Sequence, residues 1–191
     1  MSSREKILGD IKKNKPPLAP LPQWTWDSPV MDAAQNFIIA IKNVSGKVVE
    51  ISNIAEAREN ILNTHGEQQR IVDRISSITS QDIESEDALS LEKIEVGIIE
   101  GQVGVAENGA IWVDQANTGH RALPFICQHL CIVLETSRIV PTMHEAYSLI
   151  NVKKEGFGTF IAGPSKTADI EQALVIGAHG PRSLTVFLLK N

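Results

Sequence analysis

The sequence predicts an α/β protein with a mostly parallel sheet and one β-hairpin. Helical and extended patterns alternate through the first half of the chain, which is typical of βαβ units. Residues 184–189 are uniformly apolar, as expected of a strand buried on both faces of a parallel sheet. Asn108-Gly109 separates two apolar segments and is a strong signal for a hairpin turn.

Composition indicates a globular protein and argues against several functions. The 191 residues are 42% hydrophobic and 21% charged, which suffices for one domain with a proper core. The formal net charge of −5 argues against nucleic-acid binding, because that requires a concentrated basic patch. No apolar run approaches the roughly 20 residues that span a bilayer, and the first residues lack the apolar centre of a signal peptide. We therefore expect a cytoplasmic protein with no membrane span.

Residues 1–28 are predicted to form an N-terminal helix and a proline-rich arm, and residues 29–191 a single α/β domain. Residues 3–13 have amphipathic spacing, and the closely spaced prolines that follow are incompatible with a helix or a central strand. Trp24 and Trp26 follow. They attach the arm to the domain or to a partner chain, or, as the alternative, they cover the edge of the core.

Periodicity assigns the next elements of the domain in chain order. Helices are identified by apolar residues three or four positions apart, and strands by short apolar runs between turn residues. Asn53 is expected to cap a helix, because its side chain can accept a hydrogen bond from the first helical turn. The predicted helices are 29–44, 53–63 and 143–150, the predicted strands are 47–51, 71–73, 96–99 and 130–134, and residues 74–92 form a polar surface connection.

Residues 159–189 are predicted to form a strand, a helix and a second strand, separated by two glycine-proline turns. The first strand, 159–162, ends at Gly163-Pro164. A helix that packs on the sheet is predicted next, because four residues recur at the i, i+3, i+4 and i+7 spacing of one face: Ile170, Ala173, Leu174 and Gly177.

The turn before this predicted helix is a candidate anion site. Gly163 lets a ligand approach the backbone closely, and the first turn of a helix offers N–H groups without intrahelical partners. Ser165 and Thr167 add hydroxyls, and Lys166 adds a positive charge. The alternative is that Ser165 or Thr167 caps the helix, with Asp169 favoured near its N-terminus by the helix dipole.

Three further side chains are candidates for a site. Glu107, beside the hairpin turn, faces the ligand crevice expected at the carboxyl ends of the strands, or is simply solvated. Arg121 clamps a substrate carboxylate, or forms an internal ion pair with Asp114 or Glu107. His179 serves as an acid–base group, or is a turn histidine that is hydrogen-bonded to the backbone.

Cys127 and Cys131 flank His129 in an apolar run. On one extended strand the three side chains would share a face and point along one line, so they would not converge tetrahedrally on a metal. We therefore expect reduced, buried cysteines and no metal site.

Three segments in this order carry a resemblance to a known family: GVAENGAI, HRALPFICQHLCIVLETSRIVPT and GPSKTADIEQALVIGAHGP. They resemble the LUD-domain family, in particular its small lactate utilization C proteins, and the opening SSREKIL is also similar. The likeness covers nearly the whole chain, and the last segment is its most specific part. One position departs from the family, which usually has threonine where this chain has Asn108, so a hydroxyl near Glu107 is lost.

The resemblance implies a three-layer α/β sandwich, similar to sugar-phosphate isomerases, coenzyme A transferases and formyltetrahydrofolate cyclo-ligase. It also implies an accessory subunit without a cofactor, which takes part in oxidising L-lactate to pyruvate beside iron–sulfur partner proteins. Two cysteines fall short of the four thiolates that such a cluster usually needs.

The alternative is a stand-alone enzyme or binding protein for a small phosphorylated or carboxylated metabolite, so whether the chain is an enzyme stays open. Its catalytic candidates are Glu107 and His179. Its candidate ligand-binding residues are Arg121, Gly163, Pro164, Ser165, Lys166, Thr167, Asp169 and Gly180.

Overall fold

The centre of the fold, in a computed structural model of the chain, is a five-stranded sheet whose strands all run parallel. The structure describes residues 2–20, 32–66, 70–75, 83, 87, 89–151, 156–168 and 174–190. In sheet order the strands are β1 (Lys47–Ile51), β11 (Ser183–Leu189), β6 (His129–Glu135), β3 (Val96–Glu100) and β2 (Ile71–Asp73). The predicted α/β fold with a mostly parallel sheet is thereby confirmed.

Each central strand contributes side chains to two separate cores. In β6, Leu130, Ile132 and Leu134 enter the first core, whereas Cys131 and Val133 enter the second. Successive side chains of a strand point to opposite faces of the sheet, so a uniformly apolar strand supplies both cores. The apolar side chains of β11 are divided in the same way.

Two helices cover opposite faces of this sheet. Helix α2 (Ala33–Asn43) buries Phe37 and Ile41 in the first core. Helix α3 (Ile54–His65) buries Ala57 and Ile61 in the second core. The helix predicted at 29–44 therefore exists, and that predicted from Asn53 begins at the next residue.

Capping side chains fix where these helices begin. The Asn53 side chain accepts a hydrogen bond of 3.1 Å from the Glu56 N–H, as predicted. In α2 the Asp32 carboxylate accepts a hydrogen bond of 3.1 Å from the Gln35 N–H. This helix begins at Ala33 rather than at the predicted residue 29, because Asp32 caps it in an extended conformation.

A second sheet of four strands lies against the first core. Its order is β7 (Ile139–Val140), β4 (Val103–Val105), β5 (Ile111–Asp114) and β8 (Gly158–Ile161). Strands β4 and β5 form the predicted hairpin, and Gly109 has the positive φ of +70° that its turn requires. Strand β8, predicted at 159–162, pairs antiparallel with β5 and not with the parallel sheet.

The remaining described helices are short or lie on the surface. Helix α1 (Ser3–Lys13) is present as predicted and buries none of its residues. Trp24 and Trp26 lie outside the described residues. The other helices are α4 (Gln115–Thr118), α5 (Leu123–Ile126) and α6 (Met143–Leu149), and 3-10 turns occur at Ser90–Lys93 and Thr136–Arg138.

The helix predicted after Gly163-Pro164 is wrong for the residues that the structure describes. They form two antiparallel strands, β9 (Lys166–Ala168) and β10 (Leu174–Ile176), and Gly177 has φ +78°, which ends any helix. Val175 and Ile176 are β-branched and more than 40% exposed. This agrees with the strand assignment, because β-branched residues favour an extended chain. Asp169 and Ile170 lie outside the described residues.

The predicted placement of the cysteines on one strand face is also wrong. Cys127 follows α5 and precedes β6, and its side chain lies in the first core. Cys131 lies in the second core, on the opposite face of the sheet. Both are buried and reduced, as predicted.

Candidate functional site

A small cavity of about 220 Å³ lies beside the turn formed by residues 163–165. Five of the residues singled out from the sequence line it, and they come from two loops. The first loop follows β8 and the second precedes β11. The lining residues are Pro124, Phe125, Leu130, Phe160, Ile161, Gly163, Pro164, Ser165, His179, Gly180 and Pro181.

Gly163 is required where the chain passes the end of α2. Its φ is +81°, and an added Cβ would collide with the backbone carbonyl oxygen of Val44. Glycine alone adopts this conformation without strain and leaves room for that close approach. Pro164, the next residue, is buried in the cavity wall.

Two backbone hydrogen bonds join the loops on either side of the cavity. The Ser165 N–H donates to the Pro181 carbonyl at 2.9 Å, and the Ser165 carbonyl accepts from the Gly177 N–H at 3.0 Å. Gly180 lies so close to Ser165 that an added Cβ would be 3.0 Å from the Ser165 Cβ. The Ser165 backbone is therefore already paired, and its hydroxyl is the group left to meet a ligand.

The cavity has apolar walls and two polar side chains, Ser165 and His179. Among the described residues that line it, none is a lysine, arginine, aspartate or glutamate. Since β9 replaces the predicted helix, no helical N-terminus opens onto the turn. This chemistry suits an uncharged group better than the phosphate or carboxylate expected from the sequence.

The cavity also lies at the opposite edge of the sheet from the predicted crevice. Leu130 is the second residue of β6, and Pro181 stands just before β11. Both mark the amino ends of parallel strands, whereas the crevice was expected at the carboxyl ends. The reason is the pairing of β8 with β5, which places the turn after β8 beside the start of β11.

The other residues proposed from the sequence do not line this cavity. Lys166 and Thr167 belong to β9, Lys166 is exposed, and Asp169 lies outside the described residues. Glu107 accepts a hydrogen bond of 2.8 Å from the Met143 N–H, at the start of α6. That contact caps a helix, an arrangement that the helix dipole favours.

Arg121 makes neither of the ion pairs considered from the sequence. Its Nε donates to the Gln115 side chain at 3.0 Å, and its guanidinium lies 5.4 Å from the centre of the Phe157 ring. Asp114 instead accepts a hydrogen bond of 2.5 Å from the Gln102 side chain. Arg121 is thus held by an amide and an aromatic face.

A histidine pair at the amino ends of the strands was not found from the sequence. The rings of His65 and His129 lie 4.5 Å apart, and His129 Nδ1 is 2.8 Å from the Ser183 hydroxyl. His129 and Ser183 are partners in the register of β6 and β11, although 54 positions separate them in the chain. The sequence signal that could have found His129 and Ser183 is that each of them directly precedes a buried apolar run.

Burial sets the ionisation of this pair and of the two thiols. Burial and then the neighbouring His129 lower the pKa of His65, while Glu95 opposes them. Burial lowers the pKa of His129, with Glu95 raising it and Arg182 lowering it. Burial raises the pKa of each thiol, Cys127 and Cys131, to about 12, so neither is a thiolate at neutral pH.

The described part of the chain was compared with the requirements of a metal site and of a membrane-spanning helix, and it meets neither. Nowhere in it do three histidine, cysteine, aspartate or glutamate side chains gather in a group that could hold a metal ion. Of the helices that can be described, none has the length and hydropathy needed to cross a membrane.

Comparison with known proteins identifies relatives of this chain. The family model of the LUD domain matches residues 63–189. The chain is 35% identical over 96 residues to lactate utilization protein C of Geobacillus kaustophilus. This alignment covers 47% of this chain and 40% of the relative. It is 38% identical over 91 residues to lactate utilization protein C of Deinococcus radiodurans, covering 46% of this chain and 42% of the relative. The matched region is thus less than half the length of these curated relatives.

A solved structure confirms the fold independently. The crystal structure of a DUF162 family protein from Deinococcus radiodurans superimposes with a TM-score of 0.65. It is 21% identical in sequence and covers 84% of this chain and 99% of that chain.

Proposed function

Because the chain belongs to the LUD domain family, we propose that it is an accessory subunit of a lactate utilization system that acts with iron–sulfur partner proteins in the cytoplasm. The names of the relatives support the process, since several are lactate utilization protein C. In this proposal the partners carry the redox centres through which L-lactate is oxidised to pyruvate, and this chain completes their assembly.

The observation that carries the accessory role is the position of the two cysteines. They are the chain's only thiols, and they are buried on opposite faces of the sheet. Their pKa values of about 12 keep them protonated, whereas iron–sulfur clusters are held by thiolates. The proposal therefore assigns the iron–sulfur clusters to other chains.

Exposed apolar side chains beside the cavity supply a surface for such partners. Val175 and Ile176 on β10 are 43% and 44% exposed, and Phe125 at the cavity wall is 46% exposed. The hydrogen bond from Gly177 to Ser165 keeps the end of β10 next to the cavity. Exposed apolar patches are typical of protein interaction sites, and we propose that these side chains contribute to one.

The test is co-purification with the iron–sulfur proteins encoded beside this chain, followed by lactate-dependent dye reduction. The complete mixture should reduce the dye, and omission of this chain should lower the rate. Replacing Val175 and Ile176 together by lysine should abolish co-purification. Ile39→Lys is the matched control, because Ile39 is 47% exposed on α2 and lies outside the cavity. Full activity without this chain, and no co-purification of the unaltered protein, would refute the proposal.

A second candidate function is supported by the convergence of five predicted residues on one cavity. In it, the chain binds a small metabolite through the Ser165 hydroxyl and the His179 imidazole. A thermal-shift screen tests it with uncharged compounds (glycerol, lactamide, nicotinamide and adenosine) beside the anions lactate, pyruvate, sugar phosphates, nucleotides, folates and coenzyme A esters. A ligand at 100 times its Kd stabilises the fold by about 2.7 kcal/mol. The shift should be lost in Ser165→Ala and kept in Lys166→Ala, and a flat screen would remove this candidate.

A further inference from the structure

A second and larger cavity lies at the carboxyl ends of the parallel strands. Its volume is about 440 Å³, within the range of about 300–1,000 Å³ that is usual for small-ligand sites. Seven of the described residues line it: Glu100, Gln102, Val103, Asn117, Ser137, Arg138 and Leu149. None of them was singled out from the sequence.

The position of this polar cleft follows from the topology of the sheet. Glu100 is the last residue of β3, and Arg138 belongs to the 3-10 turn that directly follows β6. These two strands are neighbours in the parallel sheet. Open parallel sheets bind their ligands in the crevice outside the carboxyl ends of the strands.

Ion pairs neutralise the charges at one wall of the cleft. Arg138 Nη1 donates to Glu100 Oε1 at 2.9 Å, and Arg138 Nη2 and Nε each donate to a Glu135 oxygen at 3.2 Å. The guanidinium is therefore fixed between two carboxylates in a charge-assisted arrangement.

Two side-chain amides at the other wall are fixed by hydrogen bonds, Gln102 to the buried Asp114 carboxylate and Asn117 to a backbone carbonyl. Asp114 is 5% exposed and accepts hydrogen bonds from the Gln102 side chain at 2.5 Å and from the Asn117 N–H at 3.0 Å. The Asn117 side-chain amide also donates to the Glu100 carbonyl at 3.3 Å. Neither amide can turn away from the cleft without breaking a partly buried hydrogen bond.

These bonds leave several polar atoms for a ligand. Glu100 Oε2, Asn117 Oδ1, Gln102 Oε1 and two N–H bonds of Arg138 have no partner within the described part of the chain. Acceptors and donors thus both line the same small space. A hydroxyl group, which both donates and accepts, matches such a mixture.

The balance of charge selects against ions of either sign. Glu100 and Glu135 pair with the Arg138 guanidinium, and the buried Asp114 adds a third carboxylate, so the formal charge of these four groups is negative and an anion is repelled. Both oxygens of Glu135 and of Asp114, and Oε1 of Glu100, already accept hydrogen bonds, which leaves one carboxylate oxygen, Glu100 Oε2, for a cation. Val103 and Leu149 add an apolar surface on which the C–H face of a ring can lie.

We propose that the polar cleft binds a small, neutral, polyhydroxylated compound of about the size of a monosaccharide. Glu100 accepts a ligand hydroxyl, Arg138 and the two amides complete the hydrogen bonds, and Leu149 packs against the ring. This site is distinct from the cavity at residues 163–165, and it does not depend on the proposed role in lactate utilization.

Titration calorimetry with the whole chain tests the proposal. The neutral probes are D-ribose, D-glucose and myo-inositol, the anions are lactate and inorganic phosphate, and the cation is putrescine. We expect saturable binding of at least one neutral probe and none of the ions at this cleft. Glu100→Gln should weaken that binding about ten-fold, because it replaces a charged acceptor by a neutral one.

A second variant keeps the test decisive if Glu100→Gln disturbs the fold. Leu149 is 62% exposed at the rim, so Leu149→Trp should fold normally and obstruct the cleft. Leu8→Trp is the matched control, because it places the same side chain at a 49% exposed position on α1 and should bind like the unaltered protein. Absence of binding by all three neutral probes, or binding that Leu149→Trp leaves unchanged, would overturn the proposal.

Discussion

At the scale of single residues, two glycines with the same φ show how closely the backbone packs beside the cavity. Gly163 and Gly66 both have φ +81°. An added Cβ at Gly66 meets nothing within 4 Å, whereas at Gly163 it collides with the Val44 carbonyl oxygen. The two positions separate the cost of the backbone angle from the cost of a close contact.

Alanine substitution at the two glycines should therefore give different losses of stability. Gly66→Ala should cost about 1–3 kcal/mol, because its φ of +81° with ψ of 160° lies in a region that is essentially restricted to glycine. Gly163→Ala should cost about 2 kcal/mol more than Gly66→Ala, because the chain must also move away from α2. Urea unfolding of both variants measures the difference, and equal losses would show that the close approach is unimportant.

The pair of His65 and His129 makes the free energy of unfolding depend on pH. Burial lowers the pKa of His65 and of His129 below the usual 6.5, so the folded state favours neutral rings. A depressed pKa in the folded state contributes stability that is present above about pH 6.5 and is lost as pH falls through the folded pKa values. We expect Tm to fall as the solution is acidified below about pH 6.5.

The substitution His65→Asn should reduce this pH dependence. The substitution removes one titrating ring and the repulsion between two imidazolium groups. His144→Asn, at an exposed position of α6, is the control variant. Melting curves between pH 5 and 8 give the comparison, and identical slopes for the two variants would count against the histidine pair.

At the scale of elements, the hairpin between β4 and β5 supports α6. Glu107, next to the hairpin turn, accepts the hydrogen bond from the Met143 N–H. Thr142 accepts a second hydrogen bond, of 3.3 Å, from the Glu145 N–H. The short helix is thus capped both by its own Thr142 and by a residue 36 positions away.

Replacement of Glu107 by alanine should destabilise the fold by up to about 1 kcal/mol. Glu107→Gln should recover part of that loss, since its amide oxygen still accepts the hydrogen bond but lacks the charge that the helix dipole favours. Thermal unfolding at low and high salt distinguishes the two contributions. A stability of Glu107→Ala equal to that of the unaltered chain would deny the capping role.

At the scale of the whole molecule, the parallel sheet separates two cores that contain one cysteine each. Cys127 and Cys131 are both about 1% exposed. A reagent can reach both thiols once the sheet itself opens, because they lie on opposite faces. Thiol reactivity therefore reports global unfolding.

We expect neither thiol to react with a disulfide reagent at neutral pH in the native protein. Both should react together as urea unfolds the chain, with a midpoint equal to that seen by circular dichroism. Their pKa values of about 12 keep them protonated in the fold, and a thiol attacks as its thiolate. Rapid labelling of either cysteine without denaturant would contradict this assignment and weaken the argument for an accessory subunit.

The sequence by itself determined the features that local rules control. Alternating and uniformly apolar runs identified β1, β2, β3, β6 and β11. Such runs are informative because successive side chains of a strand point to opposite faces of the sheet, with a period of two residues. Asn53 and the Asn108-Gly109 turn were predicted correctly for an equally local reason, since a cap and a tight turn need particular side chains and angles within three or four residues.

Only the tertiary structure decided what depends on residues far apart in the chain. The segment around 166–176 had helical spacing, yet its described residues form two strands that pair antiparallel with each other, a contact that the spacing does not reveal. The polar cleft joins Glu100 to Arg138 across 38 positions, and the histidine pair depends on the register of β6 with β11. Periodicity records which side of an element is apolar, but the meeting of two distant side chains is fixed by strand order and register, which arise when the whole sheet assembles.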